Sequence, residues 1–571
     1  MKKIEKDVPH ARSLRAIARY NALKRPDKVA YKYLGANKEI VEVSYYQNGE
    51  NIENMICALK SGGFEGKRIA LIGETCPEWL QSYFAIISAG AVAIPFDKEL
   101  AYEQIRGFLD IAEAHGIIMS PKYSQKYEEL KAAGVFDNLE LVIRVDDGTE
   151  WTVEDEKLIK FSDFVKKGEG LERDSDADIM RRGARGDMSI MLFTSGTTGT
   201  SKCVMLSERN QISCAKSAVH ATDFYEHDVM LSVLPIHHTY ELTINVAIQS
   251  LGATCCINDN LKNVVKNLGI FKPTGIVIVP LFATTFHKKI VDSVKKKGKE
   301  NQLKLGMLAS GAMRTVGLDM RRKLFSEILA AFGGNLQKII CGGAAMNPEL
   351  MKFFDNLGIT LCEGYGITEC SPLIAVNPYY ARKKGSVGPA CDCCEARIDA
   401  EEVDENGNLT GEIQVRGENV MLGYYKNEEA NTEVFTEDGW FRTGDVGHMD
   451  KDGYIYITGR CKSVIVLENG KNVFPEEIEE YLEDVNEIAE CVVVGRKKEG
   501  GEEVVLTAVV YPDFNAYEKG TEISDIAADI KGKVMAINKK LPSFKQIRNI
   551  EIRKNEFEKT TTRKIKRFLV K

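Results

Sequence analysis

An apolar run that leads straight into a turn of glycines and hydroxyls constrains this chain more than any other stretch. Residues 188–193, MSIMLF, read as a buried strand. Thr194, Ser195, Gly196, Thr197, Thr198, Gly199, Thr200, Ser201 and Lys202 follow. The glycines permit a tight turn and close backbone approach. Backbone N–H groups exposed in such a turn can cradle phosphate oxygens. Six hydroxyls between Thr194 and Ser201 add donors, and Lys202 adds a point charge on a flexible stem. A polar surface loop would also use Gly, Ser and Thr. The stretch is not the GxxxxGK[ST] loop of nucleotide hydrolases, because Gly196 and Gly199 stand too close and Cys203 follows the lysine.

The flanking sequence predicts a sheet to carry this loop. Strand candidates lie at 67–72, 91–96 and 115–119, with helices opening at Pro77 and spanning 102–114. This alternation marks an α/β sheet with covering helices. It resumes after Lys202 at 228–235, 251–257, 275–279 and 337–341, with a short strand candidate at 305–309. Residues 79–96 come nearest to a membrane span, but Gly90 and Pro95 divide them, and a buried helix followed by a strand fits better. Residues 288–304 are strongly basic and read as a solvated helix face. From Asp399 short extended pieces alternate with glycine turns, which suggests a smaller, partly antiparallel unit. After Gly459 the pattern is α+β, with helices near 475–482 and 525–540 and strands at 489–494 and 503–510. The expected fold is therefore α/β: a large N-terminal region of several subdomains with mixed sheets over 1–459, and a small α+β domain over 460–571.

Composition narrows the classes. A chain of 571 residues predicts roughly three or four domain-sized units. A net charge of −7 gives no footprint for nucleic acid. Fourteen cysteines are too dilute for a disulfide scaffold. The opening MKKIEKDVPHARS has no apolar core behind its charge, so no signal peptide is expected, and a cytoplasmic setting is. No transmembrane segment is predicted; peripheral membrane contact stays open.

Five further clusters carry chemistry. His237 and His238, in PIHHTYE, are candidates for a base, a ligand or a stacking wall. Gly342, Gly343 and Ala344 offer a surface with little side chain, suited to a flat ring. Tyr365, Gly366, Thr368 and Glu369 place a hydroxyl and a carboxylate beside a glycine turn; Glu369 is an oxygen ligand of the kind Mg²⁺ prefers. Asp445, ending WFRTGD, could accept from two ribose hydroxyls, and Arg460 and Lys462 follow in TGRCK. The tail KTTTRKIKR, 559–567, includes Lys564. Each also reads as an ordinary turn or terminus. Cys391, Cys393 and Cys394 are spaced too closely for a zinc site and read as reduced thiols near solvent.

In this order and at these separations the clusters resemble the adenylate-forming superfamily of acyl- and aryl-CoA synthetases, luciferases and peptide-synthetase adenylation domains. The resemblance covers residues 29–571, and its most specific marks are SGTTGTSK, YGITE, RTGD and the terminal lysine motif. GYGITE, ENGKNVFP at 468–475 and the tail are similar to long-chain fatty acyl-CoA synthetases. The resemblance implies ATP, Mg²⁺ and CoA as cofactors and a medium- or long-chain fatty acid as substrate, with release of AMP and pyrophosphate. It implies that Thr194 to Gly199 and Lys202 hold the ATP phosphates and that His238 stands beside the carboxylate pocket. Gly342, Gly343, Ala344, Tyr365 and Gly366 would form the adenine site, Thr368 would contact the α-phosphate and Glu369 would hold Mg²⁺. Asp445 and Arg460 would bind ribose, Lys462 would be the hinge of a mobile small domain, and Lys564 its catalytic lysine. Ser201 and Cys203 replace the usual Pro and Gly around the loop lysine, and Arg563 replaces the glycine before the terminal one. Transfer to an acyl carrier protein thiol, activation of an aryl or short acid, and a nonenzymatic nucleotide-binding scaffold are the alternatives.

Overall fold

In this computed structural model the described residues are 6, 8–146, 157–194, 201–315, 317–344, 346–400, 403, 408–467, 472–483, 485–497, 504–518, 520–559 and 565–570. They form two compact units. The first takes its described residues from 1–196, 201–396 and 415–441, the second from 397–414 and 442–571.

The first unit holds two eight-stranded sheets. In one, the order is Leu373–Val376, Thr360–Gly366, Lys338–Gly342, Gly275–Ile278, Val229–Ser232, Thr254–Ile257, Val29–Leu34 and Ile40–Ser44. Its interior pairs are parallel and its two edge pairs antiparallel. In the other, the order is Gly423–Tyr424, Lys202–Ser207, Met188–Thr194, Val92–Phe96, Arg68–Ile72, Gly116–Met119, Leu141–Arg144 and Leu158–Lys160. The parallel strands are apolar runs without alternation, such as Ile69-Ala-Leu-Ile72, because both faces of these sheets are covered.

The covering helices explain that burial. Glu208–Ala221 touches strands of both sheets and also packs on Thr239–Leu251. A capping box of Ser207 and Asn210 starts the first of these helices, and Gly252 in the left-handed region ends the second. Pro77–Ser88 buries Trp79, Leu80, Tyr83, Phe84, Ile86 and Ile87. Residues 79–96 are thus a buried helix followed by the strand Val92–Phe96, and among the described residues no helix is long and apolar enough to cross a membrane.

One expectation is corrected. Residues 305–309 are not a strand but lie in the helix Glu300–Thr315. Its Leu, Lys, Met, Ala and Gln residues are strong helix formers, and it has no β-branched residue before Thr315. The antiparallel pair of Phe441–Met449 with Tyr454–Arg460 falls in the second unit from Arg442 onward. Beyond it the second unit carries the sheet Ile488–Lys497, Val504–Pro512 and Asn549–Ile552. The helices Pro475–Glu483 and Ile523–Asn538 close over its core of Val493, Leu506, Val510, Ile530 and Val534.

One buried acid makes the first unit sensitive to pH. Glu241, 0% exposed, accepts from the Ser232 hydroxyl and from Asn245 Nδ2 at 3.3 Å. Burial pushes its carboxyl up to about 7 against those bonds. A folded value above the unfolded one gives stability that is full at low pH and lost as pH rises through the folded value. Glu241→Gln removes this dependence. The difference in unfolding free energy between parent and variant should change by about 2–3 kcal/mol between roughly pH 4.5 and pH 8, the parent losing stability as pH rises. Urea unfolding at both pH values checks this, and an unchanged difference contradicts it.

Candidate active site

The polar turn read from sequence is the connection of a hairpin. Met188–Thr194 and Lys202–Ser207 pair antiparallel, with Thr194 opposite Lys202. The Thr194 hydroxyl donates to the Lys202 carbonyl at 3.4 Å. Ser195, Gly196, Thr197, Thr198 and Gly199 lie outside the described residues. The other edge of Lys202–Ser207 receives Gly423–Tyr424, with Tyr424 opposite Val204. This sets the Lys202 ammonium over the Tyr424 ring, 4.7 Å from its centroid. The Tyr424 hydroxyl donates to Glu369 Oε1 at 2.9 Å. Burial first, then the Glu369 carboxylate, push the Tyr424 phenol well above its ordinary range, so it stays a neutral donor. Lys202, Tyr424 and Glu369 are therefore one chain of contacts.

Sequence reasoning missed Tyr424. A tyrosine after a glycine is unremarkable in a loop, and only pairing across more than 200 residues of chain brings it to Lys202.

Glu369 sits in the short turn Thr368–Cys370, which follows the strand Thr360–Gly366. Backbone bonds from Ile367 N to Pro372 O at 2.9 Å and from Met421 N to Glu369 O at 2.8 Å hold the turn. Gly366 is required there: a Cβ would stand 1.8 Å from the Pro372 carbonyl oxygen. Gly342 pairs with Gly364 on the neighbouring strand, and a Cβ on it would stand 2.8 Å from the Gly364 oxygen. Gly343 turns at φ +89°. The expected ring platform, Gly342 to Ala344, and Tyr365 thus belong to adjacent strands, and Gly366, Thr368 and Glu369 continue from Tyr365.

His238 caps the helix Thr239–Leu251 at its N-terminus. Its ring lies 4.1 Å from that of His237. Burial, then the charge of Lys98, push the His237 imidazole down to about 3, so it is neutral. His237 Nε2 is 3.6 Å from Asp97 Oδ2.

The cysteine expectation is corrected. Cys391 and Cys393 are buried, not near solvent, and pack with Cys214, Val376 and the half-buried Cys394. Cys214 and Cys394 hold the Cys393 thiol well below its ordinary value by hydrogen bonding to it. The reason is the turn before Cys394–Asp399, which folds back onto the helix that carries Cys214, a packing no local spacing reveals.

The second unit gathers its own set. Asp445 and Arg460 are opposite each other in the strand pair, with Arg460 Nε 3.1 Å from Asp445 Oδ1. Asp445 N donates to the Thr443 hydroxyl at 3.1 Å, and that hydroxyl donates to the Ile413 carbonyl at 2.7 Å. Gly444, at φ +72°, donates to Glu412 Oε1 at 3.0 Å. Lys462 is exposed in the turn Cys461–Ser463. Lys564 lies outside the described residues. The chain on either side of it is pinned: Lys559 bridges Ile565, Lys566 N donates to the Glu558 carbonyl at 2.8 Å, and Arg567 pairs with Glu479.

The glycine at the turn tests this geometry without reference to activity. Gly366→Ala forces its Cβ against a backbone oxygen that cannot move independently, so it should cost roughly 2–4 kcal/mol of unfolding free energy. Urea unfolding measures it, and a loss within experimental error would show that the turn can relax.

The first unit is thus an α/β fold with a polar connection between two sheet strands, glycines beside a tyrosine at the ends of two neighbouring strands, and an acid linked through Tyr424 to Lys202. The chain belongs to the family described as AMP-binding enzyme, which matches residues 18–425; the AMP-binding enzyme C-terminal domain matches residues 462–570. The chain is similar to the long-chain-fatty-acid–CoA ligase FadD15 of Mycobacterium bovis, at 29% identity covering 95% of this chain and 93% of that one. The indoleacetate–CoA ligase of Aromatoleum aromaticum is 30% identical, covering 82% and 83%. ATP-bound MatB from Rhodopseudomonas palustris has the same fold, with a TM-score of 0.74 at 24% identity over 98% of both chains. The protein is accordingly an AMP-forming ligase of the acyl-adenylate type.

Proposed function

We propose that the protein activates a medium- or long-chain fatty acid with ATP and transfers the acyl group to CoA. The observation that carries this reading is the contact chain from Lys202 through Tyr424 to Glu369 beside the glycine surface at Gly342. A carboxylate oxygen attacks the α-phosphorus of ATP, the bond to the β-phosphate oxygen breaks, and pyrophosphate leaves. The CoA thiolate then attacks the acyl carbonyl, and AMP takes the electron pair of the breaking C–O bond. Negative charge grows on phosphate oxygens in the first step, where fixed cations are most effective.

The family resemblance supports the following residue roles. Lys202 and the hydroxyls of the loop that it ends would hold the β- and γ-phosphates. Thr368 would contact the α-phosphate. The adenine ring would lie on Gly342, Gly343 and Ala344 against Tyr365 and Gly366, with His238 at the carboxylate. Asp445, fixed by Arg460, would accept from the ribose hydroxyls. Lys462 would be the hinge and Lys564 the adenylating cation. Glu369 fits Mg²⁺ as a single carboxylate whose other metal ligands are phosphates and water. Among the described residues no cluster of three or more ligating side chains competes for that part. Mg²⁺ held there would neutralise phosphate charge. Tyr424 orients the Glu369 carboxylate.

The name of FadD15 supports a long-chain acid, and that of the indoleacetate ligase supports the second reading, an aryl acid. A panel of fatty and aryl acids, scored by acid-dependent ATP–pyrophosphate exchange and by acyl-CoA formation, separates them. Exchange with fatty acids is the expected result; ADP as product sinks the mechanism, and exchange only with aryl acids sinks the substrate. Tyr424→Phe keeps the ring over Lys202 but drops the bond to Glu369. It should lower kcat/KM for MgATP by roughly 10–100-fold.

Lys564→Ala should divide the two steps. Synthesis from ATP and acid should fall by roughly 10²-fold or more, the scale of one lost electrostatic contact in a transition state. Thioester formation from supplied acyl-AMP and CoA should fall far less. Single-turnover assays of both reactions on one folded preparation measure the split, and equal losses contradict it.

A further inference from the structure

One segment of the first unit reverses the charge of the whole. The chain carries a net −7, yet residues 280–324 hold eleven lysines and arginines against three acids, a net +8. The segment forms the helices Pro280–Lys296 and Glu300–Thr315, which pack on each other across the turn of Lys297, Gly298 and Lys299.

Its arginines are used inside the fold. Arg322 donates to the carbonyls of Leu336 at 2.7 Å and Gly334 at 2.6 Å. Arg314 and Arg321 pair with Asp355. Its lysines face water instead. Lys289, Lys295, Lys296 and Lys304 are exposed, and Lys297 and Lys299 share one carboxylate, Glu327.

Among these lysines stand large apolar side chains. Leu305 is 66% exposed and Leu308 73%. The helix already has an inward face: Ser310 is buried, and Leu303 and Met307 are half-buried. Leu305 lies about 200° round the helix from Leu303, and Leu308 one turn further on, so the pair makes a second apolar stripe. A single exposed leucine means little. Two on one stripe, in a segment this rich in exposed lysine, have the composition of an interfacial helix.

We propose that this helical pair docks on an anionic lipid surface. Leu305 and Leu308 enter the boundary between headgroups and acyl chains, and Lys295, Lys296 and Lys304 meet the lipid phosphates. Nucleic acid is the poorer fit, since exposed arginines and stacking rings are what it would engage. Here Arg314, Arg321 and Arg322 are held by partners within the fold, Phe286 is buried and Phe282 is half-buried. The proposal does not depend on which acid the enzyme activates, and its test reads no activity.

The experiment is cosedimentation of the full chain with vesicles of phosphatidylcholine alone and of phosphatidylcholine with phosphatidylglycerol. Three variants accompany the parent: Leu305→Ser with Leu308→Ser, Lys295→Glu with Lys296→Glu, and Leu261→Ser as an exposed-leucine control. Circular dichroism and melting confirm that each is folded. The parent should bind phosphatidylglycerol vesicles at least roughly tenfold more tightly than neutral ones, and high salt should weaken this. Each double variant should lose roughly tenfold or more of that binding, and the control should lose none. Equal affinity for both vesicles, or double variants that bind like the parent, would overturn the proposal. So would a parent that ignores vesicles but binds an acidic acyl carrier protein through Lys295 and Lys296, which would make the surface a protein-docking one.

Discussion

The strand Lys202–Ser207 is the constraint from which the active site of the first unit follows. Its sheet is otherwise built on parallel pairs, whose crossovers keep chain ends apart. This strand runs antiparallel to Met188–Thr194 and so returns the chain beside its own start. The return makes a loop closed by a ladder, with Thr194 facing Lys202. Its second edge is a template for Gly423–Tyr424. Without that edge Tyr424 would have no reason to stand under the Lys202 ammonium, and Glu369 would lose its donor.

Glycine does the complementary work on the other sheet. Gly342, Gly364 and Gly366 sit where strands or a turn approach more closely than a Cβ allows at two of the three positions. What they leave is backbone bordered by Tyr365 and, at Gly342, by the Tyr240 side chain. The same residues would cost stability in an ordinary strand, so their presence is explained by closeness and not by propensity.

Legibility from sequence followed the range of the interactions involved. The runs at 67–72, 115–119 and 275–279 fall on strands because a strand covered on both faces must be apolar throughout, and that is a local property. Glu369 and Asp445 could be singled out as candidates because each follows a glycine closely, in a motif contained in a few residues. Tyr424 could not, because its role exists only through two partners distant in sequence. Residues 305–309 misled for a related reason. An apolar cluster usually signals burial, but here Leu305 and Leu308 are turned to water, so period and exposure disagree. The cysteines erred in the other sense: Cys391 and Cys393 sit in a polar-looking turn, and only the helix carrying Cys214 buries them.

The second unit holds its two catalytic candidates by different means. Asp445 is clamped: a register partner, Arg460, fixes one oxygen while backbone and Thr443 fix the strand beneath it. A carboxylate paired with a guanidinium is held in one orientation, and it keeps lone pairs that can accept further hydrogen bonds. On either side of Lys564 the described chain is fastened. Lys559 bridges Ile565 and pairs with Glu490, and Arg567 pairs with the buried Glu479. Burial raises the Glu479 carboxyl to about 7, and Arg567 opposes that rise. The fastening therefore couples an acid reluctant to ionise to the one cation that favours its ionised form. Every one of these anchors belongs to the second unit. The described part of the tail is thus tied to that unit's sheet and helix.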